Sequence, residues 1–210
     1  MRASIKQFRR VLHANPQVSN FEEATAKRIV DFLGKYSAIS LLHRDVGGGH
    51  GLVFEVVGDG GEIDADAADL PTVLLRSDMD ALPLVEESCV PHKSIIEGAH
   101  HACGHDGHAA MLAAALIRLS NEQSTFRGRV LGVFQPAEET GDGALQMTTA
   151  LPDLMDAVTH GAFGIHNIPG ATLGAVMVRP EGIAARVRQI PLTYQFGRSC
   201  NSAPNYYNFV

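Results

Sequence analysis

The sequence predicts an α/β fold: a mixed, largely parallel sheet covered by helices. Three observations carry that expectation. Apolar runs rich in β-branched residues at 51–57, 72–76 and 128–134 suit strands buried on both faces. Stretches of helical character lie between them, giving the alternating order of an α/β domain. Residues able to do chemistry recur where the runs end, at 76–80, 103–108, 138–139 and 166. In open α/β sheets, ligands collect at the carboxyl ends of strands.

At 210 residues, 45% of them hydrophobic and 19% charged, the chain has the size and composition of a soluble globular domain. A net charge of -6 without a basic stripe argues against nucleic acid as a partner. Three cysteines do not make a disulfide framework and fit a reducing compartment. Residues 1–10 lack the apolar core of a signal peptide, and no apolar run approaches the roughly 18–20 residues of a membrane span. A cytoplasmic protein that engages no membrane is expected.

In chain order, Ile5, Phe8, Val11 and Leu12 fall at helical spacing over 4–14, and Pro16 ends that helix. Ser19 with Glu22 has the form of a capping box. The helix it would start runs to about Leu33, with Ala26, Ile29, Val30 and Leu33 on one face. Residues 39–42 read as a short strand, 46–51 as a glycine-rich turn and 51–57 as a strand. The turn lacks the GxxxxGK[ST] spacing of a phosphate loop. Residues 62–70 are an acidic excursion, most simply a solvated loop. The run at 72–76 enters Ser77-Asp-Met-Asp80, where acidic residues alone are a weak sign because turns often carry them. Strong helix formers fill 109–119. The strand at 128–134 ends in Gln135-Pro-Ala-Glu-Glu139. A helix over 143–151 stops at Pro152, a strand over 157–165 delivers His166, and 174–178 reads as one more strand.

The densest chemistry lies between Gly98 and His108, where His100, His101, Cys103, His105, Asp106 and His108 occupy eleven residues. Imidazoles and a thiol packed so closely suit a borderline-soft cation such as Zn²⁺. Gly104 and Gly107 would let the backbone turn so that neighbouring side chains converge. An adventitious His-rich tract is the bland alternative. The stretch is not low-complexity, however, and it sits between a predicted strand and a predicted helix, which favours a metal site. Glu138 and Glu139, behind Pro136, could divide labour between holding a metal and accepting a proton from water. An exposed acidic pair at a helix start fits those two residues equally well.

Four segments together resemble the successive motifs of the M20 metallopeptidases. They are Arg76-Ser-Asp-Met-Asp-Ala-Leu-Pro83, Ala102-Cys-Gly-His-Asp-Gly-His108, Gln135-Pro-Ala-Glu-Glu139 and Gly164-Ile-His166. The pattern is most similar to the branch holding hippurate hydrolase and the N-acyl-amino-acid and indoleacetyl-amino-acid amidohydrolases. Leu12-His-Ala-Asn-Pro16 with Phe21-Glu-Glu23 is similar to that group's opening, so the resemblance covers about residues 5–188.

The resemblance implies a zinc-exopeptidase-like catalytic domain with two divalent metal ions (Zn, Mn or Co). It implies hydrolysis of the amide bond of N-acyl amino acids by a metal-activated water. Cys103, His105, Glu139 and His166 would be metal ligands and Glu138 the general base. Asp78 would orient a ligand at the catalytic centre, while Asp106 and His108 would lie nearby without a ligand role. Homodimers are usual in the family. Its dimerisation or lid domain, inserted after the region of Arg186, and its last metal-binding histidine have no counterpart here. Residues 1–188 are therefore expected to be the N-terminal part of the catalytic domain, with a sheet incomplete at the C-terminus. Residues 189–210 lose the family pattern and read as a frame-shifted tail. The competing expectation is a truncated, catalytically inactive metal-binding fragment.

Overall fold

The computed structural model describes residues 2–60 and 70–177. Its strands are β1 (Ser40–Val46), β2 (Gly51–Asp59), β3 (Thr72–Asp78), β4 (Arg127–Gln135) and β5 (Ala162–Gly164). Its helices are α1 (Arg2–Ala14), α2 (Glu23–Leu33), α3 (His105–Asn121), α4 (Gly143–Ala150) and α5 (Pro152–Asp156). The strands form one sheet in the order β1-β2-β4-β3-β5. The β1–β2 and β2–β4 pairs are antiparallel, and β4–β3 and β3–β5 are parallel. The sheet is mixed, as expected, and its parallel half carries the chemistry.

Successive side chains of a strand point to opposite faces, so continuous apolar runs require two covered faces. Val130 and Phe134 of β4 join Leu52, Phe54 and Val56 of β2 in the cluster that α1, α2 and α3 cover. Leu131 and Val133 join Val53, Leu74 and Met147 on the other face, with Leu151, Leu154 and Val158 packed against them. Phe8 of α1 stacks on Phe32 of α2 at 4.0 Å between ring centroids. Gly132 lets α3 approach the sheet: a Cβ there would lie 2.6 Å from Leu116 Cδ1. Phe134 is fully buried, and its truncation to alanine would cost about 3–5 kcal/mol.

Several expectations need correction. Ser19 and Glu22 form no capping box. α2 begins at Glu23 without a side-chain cap, and Gln17 Oε1 receives the Thr25 N–H at 2.6 Å. The oxygens of Ser19 and Glu22 are drawn instead towards Asp80 and Ala137. Gly107 does not turn the chain, since it lies in the first turn of α3; Gly104 alone does so. The expected strand over 174–178 does not form at 174–177, and Val178 lies outside the described residues. So do most of the acidic excursion, Arg186 and the tail at 189–210. Among the described residues no helix is long and apolar enough to cross a membrane.

Candidate metal centre

β4, β3 and β5 are adjacent and parallel, so the residues that follow them meet along one rim of the sheet. β3 ends at Asp78, with Asp80 two residues on. β4 leads through Pro136 and Ala137 to Glu138 and Glu139, and β5 leads to His166. α3 brings its N-terminus to the same rim. Gly104, at φ +90°, makes the left-handed turn that separates Cys103 from His105, the first residue of the helix.

Both expected imidazole ligands present Nε2 to the centre. His105 Nδ1 lies 3.0 Å from the Asp80 backbone oxygen and 3.1 Å from Asp80 Oδ1, which assigns the proton to Nδ1. Its Nε2 then faces Asp78 Oδ2 at 3.6 Å, Glu139 Oε1 at 3.7 Å and Glu138 Oε2 at 3.8 Å. His166 Nδ1 donates to the Asn167 backbone oxygen at 2.7 Å, and its Nε2 lies 3.4 Å from Cys103 Sγ. A ring whose far N–H is held by an oxygen is the usual arrangement of a metal-binding histidine.

Two donors each about 2.0–2.3 Å from a tetrahedral zinc lie roughly 3.3–3.8 Å apart. The separations between donors here, 3.4 to 3.8 Å, fall near that spacing and beyond ordinary N–H···O length. Donor atoms of Cys103, His105 and Glu139 lie within 4.8 Å of one another, and so do those of Asp78, His105, His108 and His166. His105 belongs to both sets. Its Nε2 is buried without a hydrogen-bond partner of good geometry. Thiolate, imidazole and carboxylate are a donor set suited to a divalent cation, so the residues present fit one. His108 is already engaged: its Nδ1 lies 2.7 Å from Asp78 Oδ1, and its Nε2 accepts the Asn167 backbone N–H at 3.1 Å.

The titrations reflect a pocket with surplus negative charge. Burial opposes charging His105, yet hydrogen bonding to Asp80 and Cys103 and the charge of Asp78 outweigh it and push its pKa up to about 11. The contact with Cys103 raises His166 to about 9. His105 and then His166 lower the Cys103 thiol, favouring the thiolate a metal needs. Burial works to raise Asp78, but the hydrogen bond from His108 and the charges of His105 and Arg76 hold it well below the usual carboxylate range. Glu139 is raised, first by burial and then by its neighbours Glu138 and Asp80. Without a metal ion, protons answer this charge; a divalent cation would displace them.

Of the expected residues, Cys103, His105, Glu138, Glu139 and His166 converge. Asp78 also reaches the centre, with its Oδ2 3.6 Å from His105 Nε2. The side chain that orients His105 is Asp80; Asp78 instead holds His108 and accepts from Arg76 Nη1 at 2.9 Å. Asp80 also accepts from Ser19 Oγ at 2.7 Å and from the Glu139 backbone N–H at 3.0 Å, tying α3, the β4 exit and the α1–α2 connection together. Nothing local in the sequence marks Ser19 for this. Glu22 is a second residue that sequence reasoning missed. It is fully buried, and its Oε1 accepts the Ala137 N–H at 2.8 Å. Ala137 sits at φ +49°, a left-handed conformation that a non-glycine residue keeps only when its surroundings enforce it. That elbow aims Glu138 and Glu139 inward. Gly143 lets α4 start against it, since a Cβ there would fall 1.7 Å from the Pro136 oxygen.

The profile of peptidase family M20/M25/M40 matches residues 74–207. A thermostable carboxypeptidase 2 of Saccharolobus solfataricus is 41% identical over 86% of this chain and 43% of its own length. An N-acetylcysteine deacetylase of Bacillus subtilis is 33% identical over 86% of this chain and 44% of its own. A dinuclear metal-binding peptidase of the M20 family from Bacillus subtilis superposes with a TM-score of 0.73 at 32% identity, covering 82% of this chain and 44% of that one. The chain thus spans less than half the length of these relatives.

Proposed function

The chain belongs to peptidase family M20/M25/M40, and from that premise we propose that the protein is a metal-dependent hydrolase cleaving the amide bond of N-acyl amino acids. The observation that carries the reading is the unequal pair at the β4 exit. Glu139 has a side chain 19% exposed beside Cys103 and His105, whereas that of Glu138 is 38% exposed with Oε2 3.8 Å from His105 Nε2. The less exposed position of Glu139 supports its reading as a ligand, and the more exposed one of Glu138 supports its reading as a base.

Cys103, His105, Glu139 and His166 would hold the cation, with Asp80 and the Asn167 carbonyl fixing the two imidazoles. The similar Bacillus subtilis peptidase is described as dinuclear, which supports two ions. The thiolate favours zinc or cobalt over manganese. A divalent cation there supplies charge that acidifies water and polarises a carbonyl. Glu138 takes the proton from the attacking water and returns it to the departing nitrogen, so that acid and amine leave as separate products. The acyl-amino-acid class is supported by the relative named as an N-acetylcysteine deacetylase.

The test is metal content by mass spectrometry, together with hydrolysis of N-acetyl and N-benzoyl amino acids with Zn²⁺, Mn²⁺ or Co²⁺ supplied. Metal lost in Cys103→Ala, and hydrolysis lost in Glu138→Gln with metal retained, are the expected results. Metal bound without turnover would favour the alternative, an inactive metal-binding part of such an enzyme. Hydrolysis unaffected by Glu138→Gln contradicts the assigned base.

A further inference from the structure

A second cluster of metal-binding side chains lies behind the first. His13 comes from α1, Glu86 from the stretch after β3 and His100 from the approach to α3. Each offers one donor atom, and these atoms lie within 4.8 Å of one another. None of the three belongs to the centre described above. His13 Nε2 is 3.2 Å and His100 Nε2 3.6 Å from the same oxygen, Glu86 Oε1. Those separations bracket the roughly 3.3 Å expected between nitrogen and oxygen donors on a tetrahedral zinc.

The surroundings are built in the way a metal ligand requires. His13 Nδ1 lies 2.9 Å from Asp106 Oδ2, and Arg9 Nε holds that oxygen at 3.0 Å. A proton on Nδ1, fixed by the carboxylate, leaves the Nε2 lone pair directed at Glu86, which is the carboxylate–histidine–metal pattern. His13 Nε2 lies 3.2 Å from Glu86 Oε1, a contact that a proton closes in the imidazolium form and that a divalent cation, displacing that proton, can occupy in its place. Glu86 cannot swing away: its Oε2 accepts the Ser94 backbone N–H at 2.6 Å, and Ser88 Oγ bonds its Oε1. Its side chain is 2% exposed, that of His13 9% and that of His100 21%, so the site is sheltered and open on the His100 side. His92 stands beside them, with its ring centroid 5.2 Å from that of His13 and its Nδ1 buried without a hydrogen-bond partner.

We propose that His13, Glu86 and His100, with Asp106 holding His13, form a second divalent-metal site. It would be a two-imidazole, one-carboxylate site suited to Zn²⁺ and, in substitution, Co²⁺. It contains no thiolate, which separates it chemically from the Cys103 centre. α3 ties the two together, since consecutive residues, His105 and Asp106, serve one each.

The proposal stands independently of the hydrolase reading, and cobalt separates the two. The 210-residue apoprotein is titrated with Co²⁺ and bound metal is counted by mass spectrometry after desalting. A thiolate-to-cobalt charge-transfer band reports the Cys103 centre; ligand-field absorption without that band reports nitrogen and oxygen donors alone. The expected result is that His100→Gln lowers bound metal by one ion per chain and removes the thiolate-free component, while the charge-transfer band keeps its amplitude. Glu86→Gln is expected to do the same. If Glu86→Gln does not fold, His100→Gln, at a partly exposed position, decides alone. Metal count and spectrum unchanged in His100→Gln overturn the proposal, as does a wild-type titration with no thiolate-free component. A thiolate-free component that survives at wild-type amplitude in His100→Gln belongs to the other centre and overturns the proposal as well.

Discussion

His105 and His166 are two imidazoles of one centre, and the protein holds them in opposite ways. His105 is sealed at the start of the seventeen-residue α3, its Nδ1 locked by an Asp80 that is itself bonded to Ser19 and Glu139. His166 comes shortly after a three-residue, exposed strand, with Phe163 in the strand 59% and Ile165 just beyond it 58% accessible. Its ring is fixed by its own neighbour's carbonyl and by Cys103. The same ligand chemistry therefore rests on a rigid half and a compliant half. In the rigid half, affinity and stability are coupled through buried hydrogen bonds. In the compliant half, a ligand can be lost with little effect on the fold.

The comparison can be broken most forcefully at Asp80. Asp80→Ala would orphan the Ser19 hydroxyl and the Glu139 N–H and leave His105 Nδ1 only the residue's backbone carbonyl, destabilising the protein by about 3–5 kcal/mol in denaturant titration. It would also weaken metal binding by roughly 10–100-fold. A midpoint unchanged from wild type would remove the rigid half from the account.

A pH titration comes next. His101 is fully enclosed with both ring nitrogens unpartnered, and burial lowers its pKa to about 4. A depressed folded pKa means that its contribution is intact above the unfolded value, near 6.5, and lost as pH falls through the window towards 4. The loss amounts to at most about 3 kcal/mol. Unfolding measured across that window should show this acid limb in the wild type and a flatter one in His101→Leu. Identical limbs would exclude His101 as its cause.

The elbow gives a smaller effect. Glu22→Ala would leave the Ala137 N–H buried and unpaired at a strained φ, costing about 1–3 kcal/mol. Glu22→Gln keeps an acceptor and should stay close to wild type. Equal losses in both variants would indicate that the carboxylate itself matters, rather than the hydrogen bond.

His166→Ala sharpens the contrast from the compliant side. Stability should change by no more than about 0.5 kcal/mol while cobalt affinity falls. A large loss of stability would show that both halves are rigid.

The sheet and its helices were legible because a strand buried on both faces must be largely apolar, as 73–75 and 130–134 are. The ligand cluster was legible because thiol, imidazole and carboxylate side chains recurred at successive strand ends. The supports were not. Ser19 and Glu22 carry a local pattern that reads as a helix cap, and only the tertiary fold shows that Asp80 and Ala137 claim their oxygens. Asp78 and Asp80 are both acidic residues at the end of β3, and no local rule says which one faces His105. The expected strand does not form at 174–177, where the apolar run has no pairing strand among the described residues.

The central claim is that Cys103, His105, Glu139 and His166 bind one cation together, and cobalt spectroscopy tests it most directly. The account predicts a thiolate-to-cobalt charge-transfer band in the wild-type chain. That band should be absent in Cys103→Ser and reduced or shifted in His166→Ala, with the fold retained in both. A wild-type chain that takes up cobalt without that band, or a band that persists in Cys103→Ser, would contradict it.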